Sequence, residues 1–422
     1  MGKHPAVVMG GGIYGAYDIV RTLGKAGITS MVFSSVPGEI AFRSRYACGA
    51  LGLPKFRAEN FEEIFARVMA SPVRAADRPA LLYAGDTELM FLSRYRSQLA
   101  QSYQFLLPPQ RILEALMSKV RFIELAREAD FPVPPARAFS NAAELESALE
   151  TVTLPCIVKP AYNYDWFWEN EQLVKRFGSY KQALRRFNSR SDLLDFCAGL
   201  PPREAGFIVQ SYIEGEDGSI TSFHGYFDES SRCLGSFLTR EIRTIPPGFG
   251  DPTCCETFHD ERLRLQSIEY LRRIGFQGVV KIDYKRDSRD GEYKMLEIEP
   301  HYQTAHLLGA YAGINLPAVA YRRLNGDAVE APAGYRDQVR LLWFSRDLWT
   351  CVAGYRKTKE WSWARYFESL MGETRYRLFD PEDPRPFFES AVRFAGRRLT
   401  AAVGELRSRV TAPIPGVPEA DR

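Results

Sequence analysis

The chain opens on a pattern that leaves few folds available. "AVVMGGGIYGAYDIVRTLGKAGITSMVFSS" sets a short apolar run, a glycine turn, an amphipathic helix from about Tyr14 to Lys25 with Gly27 as its stop, and a second apolar run. Two strands joined through a helix pair in parallel, because the helix carries the chain back across the sheet. "RPALLYAGDTELMFLSRYRSQLA" repeats the scheme: a strand Ala80–Tyr83, the turn "AGDTE", and a helix for which Asp86 or Thr87 offers an N-cap. Residues 1–112 are therefore expected to form a Rossmann-like domain with ligands at the carboxyl ends of its strands.

Gly10, Gly12 and Gly15 spell G-x-G-x-x-G between the first strand and its helix. Glycine lets a phosphate approach the backbone at a helix N-terminus, where N–H groups without helical partners and the macrodipole favour an anion. A dinucleotide site also expects an acid closing the second strand; "MVFSSVPGE" offers serines there, with Glu39 too far along. Three readings stay open: NAD(P) or FAD, another anion such as a substrate carboxylate, and a structural turn.

A helix from about Ile112 to Ala129 follows, and Pro132, Pro134 and Pro135 in "DFPVPPA" interrupt helix and sheet alike. "TLPCIVKPA" reads as a strand and "SRSDLLDFCAGL" as a helix. "GFIVQSYIEGEDGSITSFHGYF" reads as two strands around an acidic turn, Asp260 to Ile274 as a helix, and "GVVKIDYKRD" and "YKMLEIEP" as strands joined by "SRDGE". The fold class expected is α/β followed by α+β. Beyond residue 330, "RDLWTCVAGYRKTKEWSWARYFESL" and "PRPFFESAVRFAGRRLTAAVGELRSRV" read as basic, aromatic amphipathic helices before a Pro-rich tail expected to be disordered. Such helices lie on membranes or pack against their own protein, and the second reading is favoured.

With 55 basic and 52 acidic side chains over 422 residues, the charge is nearly balanced, which argues against nucleic acid or a polybasic membrane surface. The seven cysteines form no C-x-x-C pair and are expected as reduced, buried thiols of a cytoplasmic protein. The N-terminus lacks the apolar stretch of a signal peptide, and Ala6 stands where a myristoylation signal has Ser or Thr.

Two groups of residues are candidates to carry chemistry, beside the readings in which Lys119 lies on a solvated helix face and the two glutamates on a solvated surface strand. Lys159 ends the apolar strand "PCIVKPA", where a desolvated ammonium is costly unless an anion such as a phosphate pairs with it; Lys119 follows Ser118 in the preceding helix. Asp283 in "KIDY" and Glu297 and Glu299 in "LEIE" lie on strands joined by a tight turn. Residues two apart share a strand face, so a hairpin brings three carboxylates together, and their repulsion calls for a cation. Hard oxygen donors suit Mg²⁺ or Mn²⁺.

The order "SK", "IVKPA", "VQSYIEGED", "KIDYKRD", "LEIEP" resembles the ATP-grasp superfamily, in particular carboxylate–amine ligases with an N-terminal "GGGxxG" domain, over about Ala6 to Asp327. The resemblance implies a Rossmann-like pre-ATP-grasp domain at 1–112 and a two-lobed ATP-grasp domain at 113–330, with lobes at about 120–205 and 206–330. A helical extension at 331–422 follows. It implies ATP and Mg²⁺, with Lys119 and Lys159 on phosphates, Gln210, Tyr212 and Ile213 lining the adenine, and Asp217 on the ribose. Asp283, Glu297 and Glu299 become metal ligands, and Arg240 and Lys281 cations on the transferring phosphoryl group. Gly11, Gly12, Asp86, Thr87, Glu88 and His301 fall toward the acceptor.

The implied reaction joins a small-molecule carboxylate, such as an amino acid, to an amine through an acyl phosphate; a homodimer is compatible with it. Two positions depart from the family's E-I-N-P-R: Glu299 replaces the asparagine and His301 the arginine. The segment "NYDWFWENEQLVKRFGSYKQALRRFNSR" stands where a glycine-rich lid is expected, with Lys175 or Lys181 as candidates to reach in. The rivals are a dinucleotide-dependent oxidoreductase and a catalytically silent nucleotide-binding protein.

Overall fold

A computed structural model describes residues 4–12, 14–73, 78–162, 186–200, 206–248, 250–330, 332, 334–357 and 360–392. The lid candidates Lys175 and Lys181 and the Pro-rich tail lie outside the described residues.

Three sheets organise the chain. The first holds β1 (Ala6–Gly10), β2 (Ser30–Ser34), β3 (Ala47–Gly52) and β4 (Leu81–Tyr83) in the order β3-β2-β1-β4. Every pairing in it is parallel, as the strand–helix–strand pattern demands. The helix Gly15–Gly24 buries Ile19, Val20 and Leu23 against Val8, Phe33 and Leu82, and Gly27 beyond it takes φ +74. The expected cap of the helix Asp86–Arg94 is corrected: Gly85 is its N-cap without a side-chain bond, and Asp86 is its first residue.

The small sheet holds β5 (Ala136–Phe139), β6 (Cys156–Pro160) and β7 (Phe207–Ser211) in the antiparallel order β5-β7-β6. The large sheet holds β8 (Ile220–Phe227), β9 (Cys233–Ile245), β10 (Asp251–Phe258), β11 (Gly278–Arg286), β12 (Tyr293–Glu299), β13 (Arg340–Leu342) and β14 (Thr374–Tyr376). Its order is β12-β11-β8-β9-β10-β13-β14, so β12 is one edge. The two strands read around the acidic turn, β7 and β8, do not pair but enter different sheets.

Two further expectations change. The helix read from Ile112 to Ala129 is two helices, Gln110–Met117 and Lys119–Glu128, broken at Ser118, whose extended backbone (φ −112, ψ 120) and hydroxyl cap the second. Ser118 can cap because its oxygen accepts the Arg121 N–H that has no helical partner. Lys119 thus begins a helix instead of lying inside one. The region beyond residue 330 is not purely helical: β13 pairs with β10, and β14 extends that sheet in parallel. Short apolar triplets such as "RLL" carry no readable period, so only pairing reveals them as strands.

Candidate active site

The helix Glu261–Arg273 covers one face of the large sheet, where Ile282, Phe223 and Leu238 form a core with Leu263 and Leu271. The opposite face carries the charged groups. Register sets Asp283 against Glu297 and Lys281 against Glu299 on β11 and β12. Asp283, Glu297 and Glu299 each offer an oxygen within 4.8 Å of the others. A register shift between Asp283 and Tyr284 accommodates one extra residue of β12, Leu296, and Leu296 lines the same cleft as the two glutamates.

Lys281 bridges two of the three acids, its Nζ lying 2.7 Å from Asp283 Oδ2 and 3.1 Å from Glu299 Oε2. Burial pulls the Lys281 pKa down, but those carboxylates outweigh it and hold the ammonium well above its ordinary value. Burial also raises the Glu299 pKa, opposed by Lys281 and reinforced by Glu297. The Ser222 hydroxyl donates to Asp283 Oδ1 at 2.5 Å, and Gln303 Nε2 donates to Glu299 Oε2 at 3.2 Å. Neither residue was legible as part of the site. Ser222 reaches it because β8 pairs with β11 at that register, and Gln303 because the chain turns back after Pro300.

The cleft lies between edge strand β12 and the small sheet. Phe122, Ile123, Val133 and Ile208 give it apolar walls, and Lys119, Lys159 and Gln210 polar ones. The break at Ser118 places Lys119 there: its backbone N–H donates to Ala161 O at 2.8 Å, while Nζ stands 4.0 Å from Glu297. Lys159 makes no ion pair among the described residues. Burial, with the Lys119 charge adding, lowers its pKa to about 8 against the pull of Glu297 and Asp283. Gln210 is buried, and its Oε1 accepts no hydrogen bond among the described residues. Tyr212 donates its backbone N–H to Pro155 O at 2.8 Å, and its ring lies under Lys285 and Arg186. Ile213 is buried. Asp217 opens a short turn, Asp217–Ser219, and its side chain lies outside what is described.

The three carboxylates fit Mg²⁺ chemically: a set of hard oxygens whose charge Lys281 offsets only in part, with Gln303 and Ser222 orienting two of them.

Arg240 is a correction. It lies opposite Thr221 and Glu256, one residue out of step with Thr239, which pairs with Ser222 and so shares the Asp283 face. Alternation therefore turns Arg240 to the far face of the sheet, where Nε donates to Glu256 Oε1 at 2.7 Å.

At the glycine turn, the contacts are those of the structural reading, one of the three left open. Gly11 N–H donates to Glu88 Oε1, and the Thr87 hydroxyl donates to Glu88 Oε2 at 2.9 Å. A Cβ on Gly11 would stand 2.8 Å from Glu88 Oε1 and one on Gly85 2.9 Å from Oε2, so both glycines make room for this carboxylate. Burial raises the Glu88 pKa. The chain's own Glu88 carboxyl takes the Gly11 amide, where a dinucleotide phosphate and a substrate carboxylate were two of the readings, and Glu88 is buried. Gly12 is exposed with open space around it. Asp86 faces the cleft, and His301 Nε2 lies 3.4 Å from Asp86 Oδ1 and 3.7 Å from Glu299 Oε1.

No protein-family profile matches the chain. Among curated proteins it is similar to D-aspartate ligase of Enterococcus faecium, 24% identical over 243 residues that span 56% of this chain and 56% of that enzyme. The matched stretch is thus little more than half of that relative. Among solved structures it is similar to the biotin carboxylase–β,γ-ATP complex of Campylobacter jejuni, with TM-score 0.56, 14% identity, and 79% of this chain and 74% of that chain covered. It is also similar to the L-amino acid ligase of Bacillus licheniformis, with TM-score 0.56, 15% identity, and 77% and 75% covered. These likenesses show the ATP-grasp fold that the sequence motifs resemble.

Proposed function

We propose that the chain is an ATP-dependent ligase that joins a carboxylic acid of the amino-acid kind to an amine. The observation that carries this reading is the convergence of Lys119, Lys159, Glu297 and Glu299 on one apolar-walled cleft between two sheets, with Asp283 beside the two glutamates. The apolar walls suit a purine, and the unpartnered Oε1 of Gln210 suits its exocyclic amino group. The two lysines suit phosphates: a phosphate beside Lys159 would supply the counter-charge that its desolvated ammonium lacks. The likeness to D-aspartate ligase supports an amino acid as one substrate.

Asp283, Glu297 and Glu299 would hold Mg²⁺, which supplies charge neutralisation for the β- and γ-phosphates when bound. The chain's own residues position and stabilise. Lys159 and Lys119 orient the triphosphate while a substrate carboxylate oxygen bonds to the γ-phosphorus and the bridge to the β-phosphate breaks, leaving ADP. The amine nitrogen then bonds to the acyl carbon, the C–O bond to phosphate breaks, and the amine's proton passes to water. Lys281 keeps Asp283 and Glu299 in place, and His301 with Asp86 lines the acceptor side. Proposed parts are the N-terminal domain 1–112, the nucleotide-binding part 113–330, and a C-terminal part that adds strands to the large sheet.

The experiment is incubation with ATP, Mg²⁺ and pooled acids and amines, following phosphate release and product mass, with Lys159→Ala beside the parent. Acid- and amine-dependent phosphate release by the parent alone is expected. Equal release by the variant would overturn the site, and ADP binding without release under any pool would overturn the ligase reading.

A further inference from the structure

The large apolar side chains left exposed among the described residues are, apart from Leu265, confined to Phe344–Val392. Among them, Trp349, Val352, Trp363, Phe367 and Met371 follow one another along the chain. Trp349 and Val352 stand a turn apart at the end of the helix Phe344–Thr350 and in the wider turn after it, with Arg356 following. The Arg356 guanidinium lies 4.8 Å over the Trp363 ring, and Trp363 stacks on Phe367 at 6.0 Å and 25°. Met371 continues the row past the helix Trp363–Glu368. Trp349, Phe367 and Met371 are 63%, 61% and 65% exposed, too open for side chains that only brace the fold. The helices are anchored by the fully buried Arg243–Asp347 pair at 2.8 Å, so the exposed face is held rigidly outward.

We infer that this face docks on an anionic lipid surface. Between Arg346 and Glu368 the exposed charges among the described residues are Arg346, Arg356, Lys357 and Arg365 against Glu360 and Glu368, an excess of cations in the segment that carries the aromatic side chains. Tryptophan and arginine suit the headgroup boundary, where a ring reaches apolar chains while a guanidinium meets phosphates. A second copy complements the face less well, since two-fold pairing sets the basic rim against itself. The chain's own residues 393–410 carry Arg393, Arg397, Arg398, Arg407 and Arg409 with Glu405 as the single acid, the same sign as the rim. Among the described residues no helix is long and apolar enough to cross a membrane, so the face lies on the surface.

The test is sedimentation of the full chain with phosphatidylcholine vesicles, with and without about 30% phosphatidylglycerol, across a salt series. Binding is expected to the anionic vesicles, to weaken more than about tenfold without the anionic lipid or at high salt, and to fall at least as far in Trp349→Ser/Phe367→Ser. Melting temperature checks that this variant still folds, and Lys357→Glu/Arg365→Glu, which leaves the apolar row and the Arg356–Trp363 contact in place, is expected to weaken binding to the anionic vesicles. No binding by the parent, or equal binding by the Trp349/Phe367 variant, would overturn the inference. So would a vesicle-free dimer that the same variant dissolves. The outcome is independent of whether the cleft is a ligase site.

Discussion

The two parts of the molecule that carry the strongest motifs treat their carboxylates in opposite ways. At the glycine turn, Glu88 is satisfied from within: Gly11 N–H and the Thr87 hydroxyl bond it, and a Cβ on Gly11 or Gly85 would crowd its carboxyl. On the β11–β12 hairpin, three carboxylates cluster with one bridging lysine, and two of them share a cleft with two more lysines at its wall. A motif with phosphate-binding spacing is thus closed by the chain, whereas a polar pair of strands is left charged and open. A short motif reports what backbone geometry allows; the surrounding chain decides whether a ligand or a side chain uses it.

The contrast can be broken most sharply at Glu297. Glu297→Gln should lower phosphate release more than about 100-fold, since even partners that only orient metal ligands are worth about 10–100-fold. Its melting temperature should hold or rise, because a carboxylate repelled by Asp283 and Glu299 is neutralised. Intact activity in steady-state assays would remove the hairpin from the chemistry.

At the glycine turn the signature should be reversed. Glu88→Ala should cost about 1–3 kcal/mol of stability by denaturant titration, because it leaves the Gly11 N–H without its partner, while ADP affinity by calorimetry stays within about threefold. A large loss of ADP affinity with unchanged stability would make the turn a ligand site after all.

Lys159 sharpens the comparison through pH. Its folded pKa of about 8 lies below the ordinary lysine value, so between the two the unfolded chain binds more protons. Stability of the ligand-free protein should therefore rise as pH climbs from about 8 toward 10.4, with the penalty fully present below that window. Lys159→Met should flatten this slope and raise the melting temperature at neutral pH. An unchanged slope in pH-dependent denaturation would mean that Lys159 keeps its water.

The smallest effect is expected at Arg240. Since it faces away from Asp283, Arg240→Gln should change phosphate release by less than about threefold and cost about 1 kcal/mol, because Arg340 still pairs with Glu256 at 2.9 Å. A hundredfold loss of rate would show that the arginine reaches the chemistry from the far face.

Much of the site was legible because it is local. Glu297 and Glu299 share a face by the two-residue repeat of a strand, and the turn after Arg286 folds their strand back onto Asp283. Arg240 was misplaced because alternation says which residues share a face but not which face meets the cleft; that depends on the pairing of β8 with β11. The break at Ser118 was missed because both flanking segments have helical periodicity, and a serine within such a run signals an N-cap only once Ala161 is seen to take the Lys119 N–H.

Periodicity and turn chemistry alone pointed to the parallel N-terminal sheet, the acidic hairpin and the lysine ending an apolar strand, since each shows as a repeat or a turn within a short stretch. The tertiary structure alone decided that Glu88 fills the turn 77 residues before it, that β13 and β14 extend the large sheet, and that an aromatic row stands open near the C-terminus. Those outcomes follow from which distant surfaces meet and bury one another, and no repeat within a short stretch encodes the partner a buried polar group will find.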